Sequence, residues 1–166
     1  LVAMDTMNFW MESALDELKE VLKKVDVLMI NDSEARQLSG EYSLVRAAMK
    51  IREMGPEYLI IKKGEHGALL FHGSRVFFAP ALPLEEVFDP TGAGDTFAGG
   101  FMGHIARTKD VSFENMKTGI IMGSAMASFC VEKFGPQRLQ EVTGEEIEQR
   151  IGEFVELVNF DINLVH

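Results

Sequence analysis

A carboxylate set inside a glycine-rich turn is the most chemically suggestive feature of this sequence. The run Asp89-Pro90-Thr91-Gly92-Ala93-Gly94-Asp95-Thr96-Phe97-Ala98-Gly99-Gly100-Phe101 reads as a loop that opens a helix. The backbone N–H groups of Ala93, Gly94 and Asp95 would then point outward at the positive end of a helix dipole, which makes an anion site. A carboxylate beside such a site suits removal of a proton from an attacking hydroxyl. The helix N-terminus would neutralise charge building up on the transferred group. The competing reading makes Asp95 a first-turn acid that merely offsets the dipole. Two common phosphate motifs fail on position. Phe97 stands where the third glycine of G-x-G-x-x-G belongs, which disfavours a dinucleotide oxidoreductase, and no Gly-Lys-Ser/Thr completes a P-loop.

Two further clusters follow apolar runs. Asn31-Asp32-Ser33-Glu34 comes directly after Val27–Ile30. Asn and Glu three apart form a helix capping box, with Asn31 as the cap and Glu34 reaching back to it. The same side chains would also stand at the C-terminal end of a parallel strand, where open α/β sheets bind ligands. There Glu34 could hold Mg²⁺ through water while Asn31 meets a phosphate. Lys62-Lys63-Gly64-Glu65-His66-Gly67 ends another apolar run. Its glycines would let backbone approach a phosphate chain that a lysine neutralises, or the segment is a plain turn with solvated charges. The four histidines show no metal-ligand spacing, and Cys130 reads as a small core residue.

The elements needed to position these residues are legible as alternating strands and helices. Leu1–Met4, Asp26–Ile30 and Tyr58–Lys63 read as buried strands, and Ala68–His72 with Val76–Ala79 as a hairpin around His72-Gly73-Ser74-Arg75. Helices are expected over Met11–Lys24, Ser33–Leu38, Ser43–Met54, from the glycine turn to about Arg107, and over Phe113–Lys133 and Gly144–Val158. Ala81–Phe88 reads as irregular. Short links between alternating elements imply a parallel sheet with helices on both faces.

Composition bounds the function. The chain has 166 residues, with 16 Lys+Arg against 26 Asp+Glu and a formal net charge of −10. That acidity disfavours non-specific nucleic-acid binding. No apolar run approaches a membrane span, and a single cysteine suits a reducing, cytoplasmic setting. The opening Leu1-Val2-Ala3-Met4 has the character of a strand interior, so the sequence is expected to be a piece of a longer chain.

In their order and setting these motifs resemble the carbohydrate kinases of the ribokinase/PfkB family. Asp89–Gly100 is similar to the family's C-terminal signature at nearly every position, Asn31-x-x-Glu34 to its N-x-x-E motif, and Gly64-x-x-Gly67 to its phosphate-side turn. Asp5-Thr6-Met7-Asn8 resembles its D-x-x-N segment. The resemblance implies a three-layer ribokinase-like α/β fold, a parallel-rich sheet flanked by helices with a β-hairpin. It also implies ATP-dependent phosphoryl transfer to a hydroxyl of a sugar, or of a nucleoside. Asp95 then corresponds to the catalytic base, and Gly92, Ala93 and Gly94 to the anion hole. Asn31 and Glu34 correspond to the phosphate and Mg²⁺ contacts, and Gly64 and Gly67 to the nucleotide turn.

Lys62 occupies a position where the family often has Thr, so an ammonium replaces a hydroxyl there. The adenine would lie near Gly123–Ser128, with Ser124 and Ser128 at the nucleotide. Some members bind a monovalent cation, K⁺, near the equivalents of Asp89 and Thr91. The family's Gly-Gly sugar motif and β-lid have no counterpart here. Residues 1–166 are therefore expected to be the C-terminal nucleotide-binding and catalytic portion, inactive alone and prone to self-association through an open sheet edge. The rival from another class is a nucleotide-binding or structural module without chemistry.

Overall fold

Val27-Leu28-Met29-Ile30 and Leu59-Ile60-Ile61 carry no polar side chain, and such runs are stable as strands covered on both faces. They are so placed in the computed structural model, which describes residues 1–159. Strand β1 (Ala3–Asp5) and helices α1 (Asn8–Ser13) and α2 (Leu15–Leu22) precede β2 (Val27–Asn31). Helices α3 (Asp32–Ser39) and α4 (Leu44–Glu53) lead into β3 (Tyr58–Lys62). A 3-10 turn at Gly64–His66 then reaches the hairpin of β4 (Ala68–His72) and β5 (Arg75–Ala79). Beyond an irregular stretch come α5 (Ala93–Thr108), α6 (Phe113–Cys130), α7 (Gln137–Glu141) and α8 (Gly144–Val158).

The strands lie in the order β1-β2-β3-β4-β5. β1, β2 and β3 are parallel, whereas β4 pairs antiparallel with β3 and β5. The sheet is therefore mixed, parallel only in the half where helices connect the strands. The link Lys63–Gly67 is too short for a crossover, which needs about a dozen residues, so the chain can only turn back.

Strand alternation sorts the helices into layers. Val27, Met29, Ile60 and Leu70 share one core with Phe97, Phe101, Ile105, Met116 and Ile120 from α5 and α6. Leu28, Ile30, Leu59 and Ile61 share the other with Leu18, Leu22, Ala35, Leu38, Ala48 and Ile51 from α2, α3 and α4. Each such large side chain contributes about 1.5–3 kcal/mol on burial. The three-layer α/β architecture expected from the sequence is the one found. No helix among the described residues is long and apolar enough to cross a membrane.

Three expectations shift. The single helix over Met11–Lys24 is two, broken at Ala14 (φ −150°, ψ 46°). Just before the break the Ser13 hydroxyl donates to the Phe9 carbonyl at 2.6 Å, sharing the acceptor of a helical N–H, a bond of the kind that bends helices. The opening strand is β1 at the sheet edge, only partly covered, with Leu1 and Val2 exposed. Phe113–Lys133 ends at Cys130, and the short α7 beyond it carried no periodicity to reveal it.

Helices α5 and α6 approach closely because Gly123 faces Phe97. A Cβ on Gly123 would lie 2.7 Å from the Phe97 carbonyl oxygen and 3.2 Å from its ring. Since backbone cannot yield there, Gly123→Ala is expected to destabilise the protein by about 1–3 kcal/mol, as overpacking does. Urea denaturation reads the loss, and an unchanged midpoint would show that the helices can separate at little cost.

Candidate active site

Asn31 ends β2 and caps α3. Its side-chain oxygen accepts the Glu34 N–H at 2.8 Å, while Glu34 Oε2 accepts the Asn31 N–H at 2.9 Å. The capping box therefore forms, with Asn31 at the surface of a cleft and Glu34 buried behind it. Burial pushes the Glu34 carboxyl above its usual range. The Asn31 N–H opposes this, and the nearby Asp5 carboxylate adds to the rise.

Register then brings in the cation. Asn31 pairs with Lys62 at the ends of β2 and β3. Lys62 Nζ donates to Asp5 Oδ2 at 2.5 Å, joining the ends of β3 and β1. It also lies 3.3 Å from where a Cβ on Gly94 would sit, so the ammonium stands against the first turn of α5.

That turn differs in one respect from its sequence reading. Gly92 precedes α5 in the left-handed region (φ 81°), with no side-chain cap, and the Thr96 N–H closes onto the Gly92 carbonyl at 2.8 Å. The Ala93 N–H donates to Pro90 O at 3.1 Å, so it is spent inside the turn rather than offered to a ligand. The Gly94 and Asp95 N–H groups remain as the first-turn donors, at the positive end of a sixteen-residue helix. Asp89 accepts the Thr91 N–H at 2.9 Å. That bond, with smaller contributions from the Thr91 hydroxyl and the Gly135 N–H, holds its carboxyl below the usual range.

A cleft of about 960 Å³ brings together Asn31, Lys62, Gly64, Gly67, Ala93, Gly94, Ser124 and Ser128. Leu82, Leu84 and Val87 add an apolar wall. Asp95 is not in this cleft. It is exposed and lines a neighbouring groove of about 530 Å³ between α5 and α6, with Thr96, Gly99 and Gly100. Gly92, Thr91 and Asp89 belong to the same segment as Pro90 and Ala93 but do not line the cleft.

The two turn glycines have different reasons to be glycine. A Cβ on Gly67 would fall 2.0 Å from Ala79 O, so that residue is dictated by packing against β5. Gly64 also has positive φ (57°) but faces open space on the cleft.

Ser128 is less available than the sequence suggests. Its hydroxyl donates to Ala125 O at 2.7 Å and accepts from Arg150 NH1 at 2.7 Å. Arg150 and Asp5 are the residues that sequence reasoning missed here, because their partners lie 22 and 57 residues away. The only signal for Asp5 was its place in the D-x-x-N segment; Arg150 gave none.

Among the described residues, no three His, Cys, Asp or Glu converge as a metal cage. Mg²⁺ needs none, since it is usually held by one or two carboxylates together with phosphates. Glu34 suits that role, being a buried carboxyl close to a second acid and without an ion-pair partner among the described residues.

The fold and the strand-end cleft define an α/β protein in which an ammonium, Lys62, stands against the N-terminus of a helix. The chain belongs to the pfkB family of carbohydrate kinases, whose sequence profile matches residues 3–142. Members of this family are phosphotransferases with a ribokinase-like fold.

A cytidine kinase from Thermococcus kodakarensis is 39% identical over 94 residues, 55% of this chain and 34% of its own length. The aminoimidazole riboside kinase of Salmonella enterica, solved with aminoimidazole riboside and an ATP analog, shares the fold at TM-score 0.78 and 23% identity. That match covers 90% of this chain and 52% of the other. A putative ribokinase II from E. coli, solved with ATP and Mg²⁺, gives TM-score 0.69 at 28% identity, covering 82% and 42%. The chain thus spans between a third and about half of the length of these relatives.

Glu34 yields a pH prediction. A carboxyl raised in the folded state contributes stability that is full below the unfolded value and lost as pH rises through the folded one. Glu34→Gln keeps an oxygen for the Asn31 N–H. It is expected to melt at or above the wild-type temperature near pH 8 and to lose that advantage near pH 4. A variant clearly less stable near pH 8 would show that the ionised carboxylate supports the cap.

Proposed function

We propose that this chain is the C-terminal, nucleotide-binding and catalytic portion of an ATP-dependent kinase acting on a hydroxyl of a sugar or sugar-like substrate. The observation that carries this reading is the position of Gly94 and Asp95 at one helix start. Gly94 faces the cleft beside Lys62, and Asp95 faces the adjoining groove. A donor phosphate on the cleft side and an acceptor hydroxyl on the Asp95 side would meet across a single turn. The relative that is a cytidine kinase favours a nucleoside acceptor as the second reading.

In this reading Asp95 takes the proton from the acceptor hydroxyl. The Gly94 and Asp95 N–H groups, with Lys62, stabilise charge on the transferred phosphoryl group, the Gly92 turn aims them, and Ala93 braces the turn. Positioning and electrostatics dominate such reactions. Gly64 and Gly67 shape the phosphate side. Ser124 and Ala127 border the adenine with Leu82 and Val87, and Ser128 holds the wall behind them. Glu34 and Asn31 would hold Mg²⁺, which neutralises phosphate charge when bound. The loop of Asp89 and Thr91 is the place for a monovalent cation. The free edge of β1 is the surface proposed for self-association.

MgATP at about a hundred times its Kd is expected to stabilise the chain by about 2.7 kcal/mol, a rise that thermal shift detects. Sugars alone are expected to do nothing. No response to MgATP would favour a structural module. In the protein that carries the substrate-binding half, Asp95→Asn is expected to cut kcat about 10²–10⁴-fold, the usual range for a general base, with ATP binding retained. Unchanged turnover would remove Asp95 from the role.

A further inference from the structure

The Asp5–Lys62 contact is not used by the reaction proposed above, and it occupies the ammonium that faces the anion site. Lys62 Nζ lies 2.5 Å from Asp5 Oδ2, with the two side chains only 16% and 28% exposed. A pair so covered is weakly screened by salt. The other carboxylate oxygen, Oδ1, accepts the Thr6 N–H at 2.9 Å, so Asp5 is held in place from its own strand end. The ammonium sits at the end of a long flexible stem and is the partner able to move. The missing Cβ of Gly94 is what lets this ammonium stand so close to the first turn of α5.

We propose that Asp5 is a built-in counter-ion of the anion site. In the empty cleft it holds the charge that an incoming phosphate would engage, so every anion must compete with Asp5 for Lys62. The inference rests on the reading of the α5 N-terminus as the phosphate site, and it adds a residue that tunes that site through another.

The sign follows from electrostatics. Replacing Asp5 by Asn deprives a largely covered ammonium of its direct ion-pair partner and leaves it only the weaker field of Glu34, which costs the empty protein stability. A bound anion removes that cost, so its apparent affinity rises. A positioning carboxylate that merely aimed Lys62 would act in the opposite sense, because its removal would weaken binding. Were Asp5 instead to act only as a through-space repellent, its effect would not depend on Lys62. The two routes separate when Asp5 is changed with and without Lys62 present.

Pyrophosphate without Mg²⁺ is the probe, titrated calorimetrically at low ionic strength into wild type, Asp5→Asn, Lys62→Met and the double variant, with Asp5→Ser as a second neutral replacement. Asp5→Asn is expected to bind about five- to tenfold more tightly than wild type, within the usual range of coupling between sites. Its own melting temperature should be lower and its rise on ligand addition larger. Lys62→Met is expected to bind at least about fivefold more weakly, and adding Asp5→Asn to it should change affinity by less than about twofold.

Weaker or unchanged binding in both Asp5 variants overturns the counter-ion role. So does an equal gain in the Lys62→Met background, which would make Asp5 a through-space repellent only. Failure of wild type and Asp5 variants alike to bind pyrophosphate or ATP would remove the anion site and this inference together. The expected pyrophosphate series alongside full turnover in Asp95→Asn would remove only the base and leave the counter-ion role standing.

Discussion

The pairing of β2 with β3 sets Asn31 beside Lys62, and both strands are covered on their two faces up to those residues. A slip of β2 by one residue against β3 would carry Leu28 and Ile30 into the core that Val27 and Met29 fill, so the packing of both cores holds the register. The helix that closes over the strand ends is fixed by the same constraint. Phe97 and Phe101 of α5 pack in the core that contains Val27, Met29 and Ile60. The relative heights of the cap, the ammonium and the first turn of α5 are therefore consequences of core packing.

Charge explains why the site has to be built this way. The chain carries a formal net charge of −10, and the cleft places Lys62 and Lys63 among Asp32 and Glu65, with Asp5 on Lys62. No broad positive field is available to draw in an anion. In the proposed function attraction would come from donors that are oriented in advance, and the Gly94 and Asp95 N–H groups would need no reorganisation to act. Mg²⁺ at Glu34 would serve the same end by lowering the charge of what enters. Backbone donors at this turn suit an acidic protein, since they add no net charge.

Local signals were readable, and long-range pairings were not. The apolar runs of β2 and β3, the hairpin around Gly73, the bounds of α8 and the Asn31–Glu34 box all follow from neighbouring residues, and each formed as read. The Asp5–Lys62 and Ser128–Arg150 pairs join residues brought close only by the finished fold. The antiparallel pairing of β4 with β3 was hidden for a different reason. Strand character says nothing of direction; the five-residue link does. Ala93 shows the finer limit: its place in the signature was plain, but its N–H turns inward to Pro90 O.

Helix α8 shows how residues far from the chemistry define the cleft. Ala127, Ser128 and Val131, at the end of α6, line the cleft, and Phe129 is buried and does not line it. Two guanidiniums lie against the Phe129 ring, Arg150 at 4.0 Å and Arg138 at 5.0 Å from its centre. Both also bond to Glu132, at 2.6 Å and 2.9 Å. Burial pushes the Glu132 carboxyl up, yet the two arginines outweigh it and bring it below the usual range. The ion network thus holds its charge and ties α7 and α8 to the end of α6. Because Arg150 also holds the Ser128 hydroxyl, that wall of the cleft is fixed from behind. A serine that reads in sequence as a ligand contact is thereby better understood as the point where the distal helices set the shape of the cleft.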